Sequence, residues 1–138
     1  MLLVKWMSYV FDSSSIYTVL ERKKVGILGG NYTTFLAKFE LGNIIWKGVY
    51  LHKRISKTDG LKLSSFITRL LNTMNMEDIN CEEVEEIAID YGISFYDASY
   101  VWLARRLALP LVTEDIKLRK VLERVEGLKA ISTEDVVK

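Results

Sequence analysis

Four acidic residues occupy positions that suit the gathering of negative charge around a cation. Asp12 and Asp115 each follow a strand-like run. Asp97 opens a helix-patterned segment, and Glu40 lies inside another, residues 33–46. Clustered carboxylates without a counterion repel one another and raise their own pKa values, whereas hard divalent cations such as Mg²⁺ and Mn²⁺ prefer oxygen ligands. These residues therefore predict a carboxylate site for a divalent metal ion.

The composition restricts the available chemistry to carboxylates. His52 is the only histidine and Cys81 the only cysteine, which argues against histidine-based sites and excludes an internal disulfide and a zinc knuckle. Nineteen basic residues nearly balance 18 acidic ones, giving a net charge of +1. The chain thus lacks the strongly basic bulk of a protein that relies on non-specific phosphate binding, although a local basic patch is compatible with this balance.

Length and hydropathy predict one compact domain. The 138 residues, 49% of them hydrophobic, can bury a substantial core, and we assign residues 1–138 to one domain. The apolar start is too short for a secretory signal. Because Met7 lies just before the first predicted strand, residues 1–6 are interpreted as an extension outside the core. No apolar stretch approaches the length of a membrane span. We expect a cytoplasmic protein with no membrane partner.

Strand-like runs alternate with helical patterns along the chain. The predicted strands are residues 8–11, 111–113 and 128–131, with 74–80 a short strand or a loop. The predicted helices are residues 13–21, 33–46, 61–74, 81–91, 97–107 and 116–124. Turns are predicted at Gly29-Gly30-Asn31 and Asp59-Gly60, and a helix end at Gly92. The alternation predicts an α/β domain with a largely parallel sheet.

A parallel sheet would bring three of the acids to one edge. Sites in open parallel sheets form beyond the carboxyl ends of the strands, where Asp12 and Asp115 are expected. Asp97 at a helix start should face the same edge, because the helices run back from it. The position of Glu40 depends on how its helix packs.

The segments that carry the acids resemble those of PIN-domain ribonucleases, in particular VapC-type toxins of prokaryotic toxin–antitoxin pairs. The matching stretches are Tyr9-Val10-Phe11-Asp12-Ser13-Ser14, Phe39-Glu40-Leu41-Gly42-Asn43, Phe95-Tyr96-Asp97-Ala98-Ser99-Tyr100 and Leu111-Val112-Thr113-Glu114-Asp115. They follow the family's order from Ser8 to about Ile131. Each stretch is a weak indication alone, and four in order are a strong one.

The resemblance implies a three-layer α/β/α sandwich, a homodimer, and Mg²⁺- or Mn²⁺-dependent cleavage of RNA. It also implies a small antitoxin protein that blocks the acidic site. Four residues match the family's acidic quartet: Asp12, Glu40, Asp97 and Asp115. Ser14 and Thr113 match its supporting hydroxyls, and Asn43 matches its helix amide near the site.

Magnesium keeps several waters and needs only one or two direct carboxylates. We therefore favour Asp12 and Asp97 as direct metal ligands. Asp115 and Glu40 would hold metal-bound waters, complete a second metal site, or help to deprotonate the attacking water. Ser14 and Thr113 would orient a carboxylate or a water.

Simpler interpretations remain open for single residues. Asp12, Asp97 and Asp115 could each cap a helix, since aspartate is a favoured N-cap, but capping does not explain Glu40 within its helix. The basic residues from Lys53 to Arg69 could be a solvated helix face rather than a rim for RNA phosphates. Exposed stacking on bases is less expected for Trp46 and Tyr50 than packing in the core or in a dimer.

Other functions were weighed against the nuclease. A haloacid-dehalogenase-like phosphatase needs a second aspartate two residues after the first, where this chain has Ser14. A response-regulator receiver needs a lysine where this chain has the segment 113–115. The closer alternatives are a housekeeping RNA-processing PIN nuclease and a catalytically inactive PIN-fold binding module.

Overall fold

One five-stranded parallel sheet forms the centre of the computed structural model, which describes residues 8–137. The strands lie in the order β3-β2-β1-β4-β5. They are β1 (Val10–Phe11), β2 (Tyr32–Thr34), β3 (Asn75–Glu77), β4 (Leu111–Val112) and β5 (Ala130–Ile131). The chain extends the sheet from β1 to one side and then returns to β4 on the other. The strand order therefore reverses between β1 and β4, which is where such sheets bind ligands beyond their carboxyl ends.

Helices cover both faces of this sheet. They are α1 (Ser13–Glu21), α2 (Leu36–Trp46), α3 (Lys57–Leu71), α4 (Cys81–Tyr91), α5 (Phe95–Leu107), α6 (Ile116–Leu122) and α7 (Thr133–Val137), with a 3₁₀ turn (Val25–Ile27) and a π-helical segment (Lys47–Leu51) that continues α2. No helix in the described range is long and apolar enough to cross a bilayer.

The two faces of the sheet have separate apolar cores because side chains alternate along each strand. Val10 and Leu111 belong to a core with α4, α5 and α6. Their neighbours Phe11 and Val112 belong to a second core with α1, α2 and α3. The predicted three-layer α/β/α sandwich with a parallel sheet is confirmed.

The sequence analysis missed the second strand. Thr33 and Thr34 were assigned to the start of a helix, but both are buried in β2, which pairs with β1 and β3. The Thr33 hydroxyl donates a hydrogen bond to the Phe11 carbonyl at 2.7 Å. A polar hydroxyl satisfied in this way fits a buried strand, and β-branched residues favour strands.

The turn predicted at Asp59-Gly60 is wrong, because both residues lie in the first turns of α3. Ser56 caps this helix by accepting a hydrogen bond from the Asp59 N–H at 3.1 Å. Gly60 is buried, and a Cβ at this position would lie 2.6 Å from Cγ2 of Val49. The glycine therefore serves close packing of α3 against the π-helical segment rather than a turn.

Other boundaries agree more closely with the prediction. The structure reproduces the predicted bounds of α1 and α4, and Gly92 ends α4 in the left-handed conformation at φ 65°. Helix α5 begins at Phe95 rather than at Asp97, because Ser94 is its N-cap. The short helix α7 was not predicted. The proposed extension at residues 1–6 lies outside the described residues.

Candidate metal-binding active site

Asp12 lies directly after the central strand β1 and is only 5% exposed. Its Oδ1 atom accepts hydrogen bonds from the Ser14 hydroxyl at 2.7 Å and from the Ser15 N–H at 2.9 Å. Burial raises the pKa of this carboxyl, while hydrogen bonds from Thr113, Ser15 and Ser14 act in the opposite direction. The fold thus holds a carboxyl group at the point where the strand order reverses, and its burial there disfavours the ionised form.

Ser14 and Thr113 connect Asp12 to the loop after β4. The two hydroxyl oxygens lie 3.5 Å apart, and the Ser14 hydroxyl accepts a hydrogen bond from the Glu114 N–H at 3.1 Å. The Thr113 hydroxyl accepts one from the Asp115 N–H at 3.2 Å. Both predicted supporting residues therefore lie between the two aspartates, where they fix the relative position of β1 and β4.

Glu40 reaches the site from α2 and is held by two hydroxyl donors. Its Oε1 atom accepts hydrogen bonds from Ser13 at 3.0 Å and from the Tyr100 hydroxyl at 2.7 Å. Tyr100 is buried, and burial together with the neighbouring charge of Glu40 raises the pKa of its hydroxyl. Tyr100 therefore stays protonated and donates to the carboxylate. A mid-helix acid that accepts from a buried tyrosine and a half-buried serine is not a cap.

Sequence analysis gave no role to Ser13 or Tyr100. Tyr100 follows Asp97 by three residues, so the two share one face of α5. Ser13 directly follows Asp12. This spacing could have indicated that both hydroxyls belong to the site, but only the packing of α2 against α5 reveals that Glu40 is their common acceptor.

Asp97 lies in the first turn of α5, and the other three acids of the site raise its pKa. Its pKa is raised from 3.8 to about 6, first by burial and then by the charges of Asp12, Asp115 and Glu40, against a smaller opposing effect of Ser94. Asp97 is therefore close enough to the other three predicted acids for their charges to act on it. A cation placed among them would relieve that repulsion.

Asn43 does not join this network. It lies on α2 one turn after Glu40, but its side chain is exposed and makes no hydrogen bond within the described part of the chain.

Helix capping is real for two of the acids. The Oδ1 atom of Asp12 caps α1, and that of Asp115 caps α6 by accepting a hydrogen bond from the Leu118 N–H at 3.0 Å. Asp97 is not a cap, since Ser94 has that role. An ionised carboxylate has two oxygens with about four acceptor sites, so capping by one oxygen leaves acceptor capacity for a cation.

The donor set fits a hard cation that keeps most of its waters. Among residues 8–137, no three acidic, histidine or cysteine side chains stand close enough together to hold one ion as a compact cage. Mg²⁺ does not require such a cage, because one or two direct carboxylates and several waters complete its octahedron. Asp12 and Asp97 can act as the direct ligands, and Asp115 and Glu40 as acceptors for bound water.

Comparison with known proteins connects this geometry to a family. No family model matches the chain. Over 136 residues it is 29% identical to Exonuclease VapC9 of Pyrobaculum aerophilum, covering 92% of each chain. The crystal structure of PAE2754 from Pyrobaculum aerophilum superposes with a TM-score of 0.75 at 28% identity, covering 94% of this chain and 92% of that one.

A toxin–antitoxin complex from Klebsiella pneumoniae shares the fold, with a TM-score of 0.57 at 16% identity over 87% of this chain and 94% of that one. Both solved structures thus share the overall fold of this chain. In sequence and in fold, the chain resembles VapC-type PIN-domain proteins, as the four motifs predicted.

Proposed function

We propose that this protein is a metal-dependent endoribonuclease, the toxin of a VapBC-type toxin–antitoxin pair. The observation that carries the proposal is the convergence of four acids from separate elements at the reversal point of the sheet. One of them, Asp12, is almost fully buried, and the pKa of Asp97 responds to the other three. Perturbed carboxylates gathered in this way are a common mark of a catalytic site.

Asp12 and Asp97 would bind Mg²⁺ or Mn²⁺ directly, with Asp115 holding a metal-bound water. The ion, when bound, supplies neutralisation of the phosphate charge and a lowered pKa for bound water. Ser14 and Thr113 keep the Asp12 carboxylate in one orientation through the bonds described above. Such supporting donors typically change metal affinity or activity by about 10- to 100-fold when they are removed.

Glu40 is suited to orient the attacking water and to accept its proton. Ser13 and Tyr100 both donate to Oε1, which leaves Oε2 as the natural acceptor toward the site. The water oxygen would attack phosphorus while its proton passes to this carboxylate. The bond from phosphorus to the leaving ribose oxygen would break, and one cut end of the RNA would be released.

RNA is the proposed substrate because the segment next to the acids is strongly basic. Residues 35–73 contain seven lysine and arginine residues but only two acids, Glu40 and Asp59. All seven basic side chains are exposed. Exposed positive charge on the segment that supplies Glu40 is suited to bind a phosphate backbone.

The exposed apolar side chains of α2 support the two proposed protein partners, an antitoxin and a second copy of the chain. Phe39 is 74% exposed, Trp46 is 50% exposed, and Trp46 stacks on exposed Tyr50 with ring centroids 5.5 Å apart. An apolar groove between α2 and α3, lined by Ile45, Val49 and others, adjoins them. Exposed aromatic patches of this kind typically mark interfaces.

Exonucleolytic cleavage is the second candidate, favoured by the name of the Pyrobaculum aerophilum relative. The decisive substrate is a closed circular RNA, which has no ends and can be cut only internally. The assay compares labelled linear and circular RNA with Mg²⁺, with Mn²⁺ and with EDTA.

The variants in this assay are Asp12→Asn and Asp97→Asn, with Asp59→Asn as a matched control on exposed α3. We expect cation-dependent cutting of both RNAs, reduced by more than about 100-fold in the two site variants and unchanged in the control. Cutting of the linear RNA alone would favour the exonuclease. Equal cutting by all variants would contradict the site, and no cutting by folded wild type would favour the inactive binding module.

A further inference from the structure

A small apolar slot is lined by Tyr96, the residue before Asp97, and includes none of the four acids in its walls. It lies between the end of β2, the segment after β3 and the first turn of α5, with a volume of about 190 Å³. Its walls include Thr34, Phe35, Glu77, Phe95, Tyr96 and Ser99. Pockets for drug-sized ligands are about 300–1,000 Å³, so this slot fits one planar ring rather than a peptide segment.

Two aromatic side chains of the slot remain in solvent. Tyr96 is 59% exposed and Phe35 is 44% exposed. Lys38 holds its ammonium 5.7 Å from the centroid of the Phe35 ring. Aromatic faces beside a lysine are the pairing that proteins use to stack a base while neutralising its phosphate.

One wall of the slot carries an unused hydrogen-bonding group. Thr34 is 1% exposed, and its Oγ1 atom has no hydrogen-bond partner among residues 8–137. Buried hydroxyls are nearly always paired, so an unpaired one beside a cavity points to a ligand. By contrast, the hydroxyl of Ser99 is already satisfied by the Tyr96 carbonyl at 2.7 Å.

The charges at the rim select the kind of group that enters. Glu77 and Asp78 line the slot, and in the described part of the chain no basic side chain does so. Their carboxylates would repel a phosphate but could accept hydrogen bonds from the amino or imino groups of a base. The combination of flat apolar walls, a free hydroxyl and acceptors matches a nucleobase.

We propose that this slot binds one unpaired nucleobase of the RNA strand, next to the bond that is cut, and so contributes sequence preference. The proposal rests on the proposed nuclease function, since it places the base beside Asp97. Recognition of splayed-out single-stranded bases by aromatic stacking and edge contacts is the general route to RNA sequence preference.

The test measures binding without cleavage, in Asp12→Asn protein with EDTA. Short single-stranded RNAs carry the fluorescent base 2-aminopurine at successive positions, and its emission falls when it stacks. We expect quenching at one position, with binding weakened at least about fivefold and quenching lost on Tyr96→Ala. Tyr96→Phe should retain both, and Ile89→Ala, at an exposed apolar residue on α4, should change neither.

A second variant separates stacking from edge recognition. Thr34→Val keeps the shape of the wall and removes the hydroxyl, so it should change the order of preference among the four homopolymers while the chain stays folded. Unchanged binding and quenching in Tyr96→Ala, Phe35→Ala and Thr34→Val would overturn the slot while leaving the nuclease intact. Wild type that neither binds nor cuts RNA would instead overturn the proposed function.

Discussion

The helices on the two faces of the sheet differ in charge, although each face contributes an acid to the same site: Glu40 from α2 and Asp97 from α5. Residues 35–73, with α2 and α3, hold seven basic and two acidic side chains. Residues 75–104, which contain α4 and most of α5, hold eight acidic side chains and no basic ones. The overall charge of +1 conceals this division, which we describe as the basic half and the acidic half.

The halves also differ in how completely they are packed. In the acidic half, seven successive residues of α5, from Ala98 to Ala104, are buried. In the basic half, α2 buries only Ala37 and Leu41 and leaves Phe39 and Trp46 in solvent. A rigid α5 can fix Asp97 and Tyr100 in place, whereas exposed α2 is free to meet partners. We infer that the acidic half holds its part of the site rigidly, whereas the basic half also offers exposed side chains to partners.

Removing charge from the basic half should produce the largest effect on RNA binding. In the triple variant Lys53→Gln, Arg54→Gln, Lys57→Gln, we expect affinity at low salt to fall on the order of 10- to 100-fold. We also expect the slope of log K against log salt to flatten by about 2, since each single-strand phosphate contact contributes about 0.7. Fluorescence anisotropy across a salt series measures both quantities.

The control removes the same number of charges elsewhere. Lys120→Gln, Arg124→Gln and Lys129→Gln are exposed substitutions outside both halves and should leave the salt slope close to that of the parent. Equal losses in the two triple variants would mean that total charge, rather than the basic half, attracts RNA.

The two halves meet at one hydrogen bond, from Tyr100 of the acidic half to Glu40 of the basic half. Tyr100→Phe removes the donor and keeps the ring, so Glu40 loses one of its two anchors. We expect kcat to fall about 10- to 100-fold with little change in KM, because Tyr100 positions a catalytic group and does not touch RNA. Stability should fall by roughly 1 kcal/mol.

Tyr91→Phe is the matched substitution within the acidic half, and steady-state kinetics with thermal melts compare the two. An equal fall in kcat for both variants, or a rise in KM alone, would argue against the positioning role of Tyr100.

Local patterns predicted those parts of the fold that depend on neighbours in sequence. Helices α1 and α4 have clear apolar spacing and caps, so their bounds agree with the prediction. The places of Asp12 and Asp115 followed from the rule that parallel strands end at one edge. The polar strand β2 was missed because the hydroxyl of its buried Thr33 is satisfied by a tertiary contact, to the Phe11 carbonyl, that no local pattern displays.

Contacts distant in sequence explain what else was missed. Gly60 looked like a turn residue, but its role depends on Val49 from the π-helical segment. The Tyr100–Glu40 bond spans 60 residues, and the base slot combines three segments. The positions of the acids in the sequence predict that they converge, but they do not predict which hydroxyls donate hydrogen bonds to them.

The smallest predicted effect concerns how much the acidic cluster destabilises the fold when no metal ion is present. The raised pKa of Asp97, about 6 against 3.8, means that the folded chain holds this proton more tightly than the unfolded chain. The stabilising contribution is therefore fully present below pH 3.8 and is lost as the pH rises through 6. With EDTA, the Tm of Asp97→Asn relative to wild type should rise by about 2–5 °C between pH 4 and pH 7.5.

Exposed Asp59→Asn in the basic half should show no such trend, because Asp59 has no acidic cluster around it. Saturating Mg²⁺ should reverse the order at pH 7.5, because an ion that binds the folded chain stabilises wild type more than a variant lacking one ligand. A difference in Tm that is flat with pH would mean that Asp97 does not share the charge of the other three acids. The acidic half would then contribute a capped helix to the site, and not a carboxylate whose pKa is raised by the other acids.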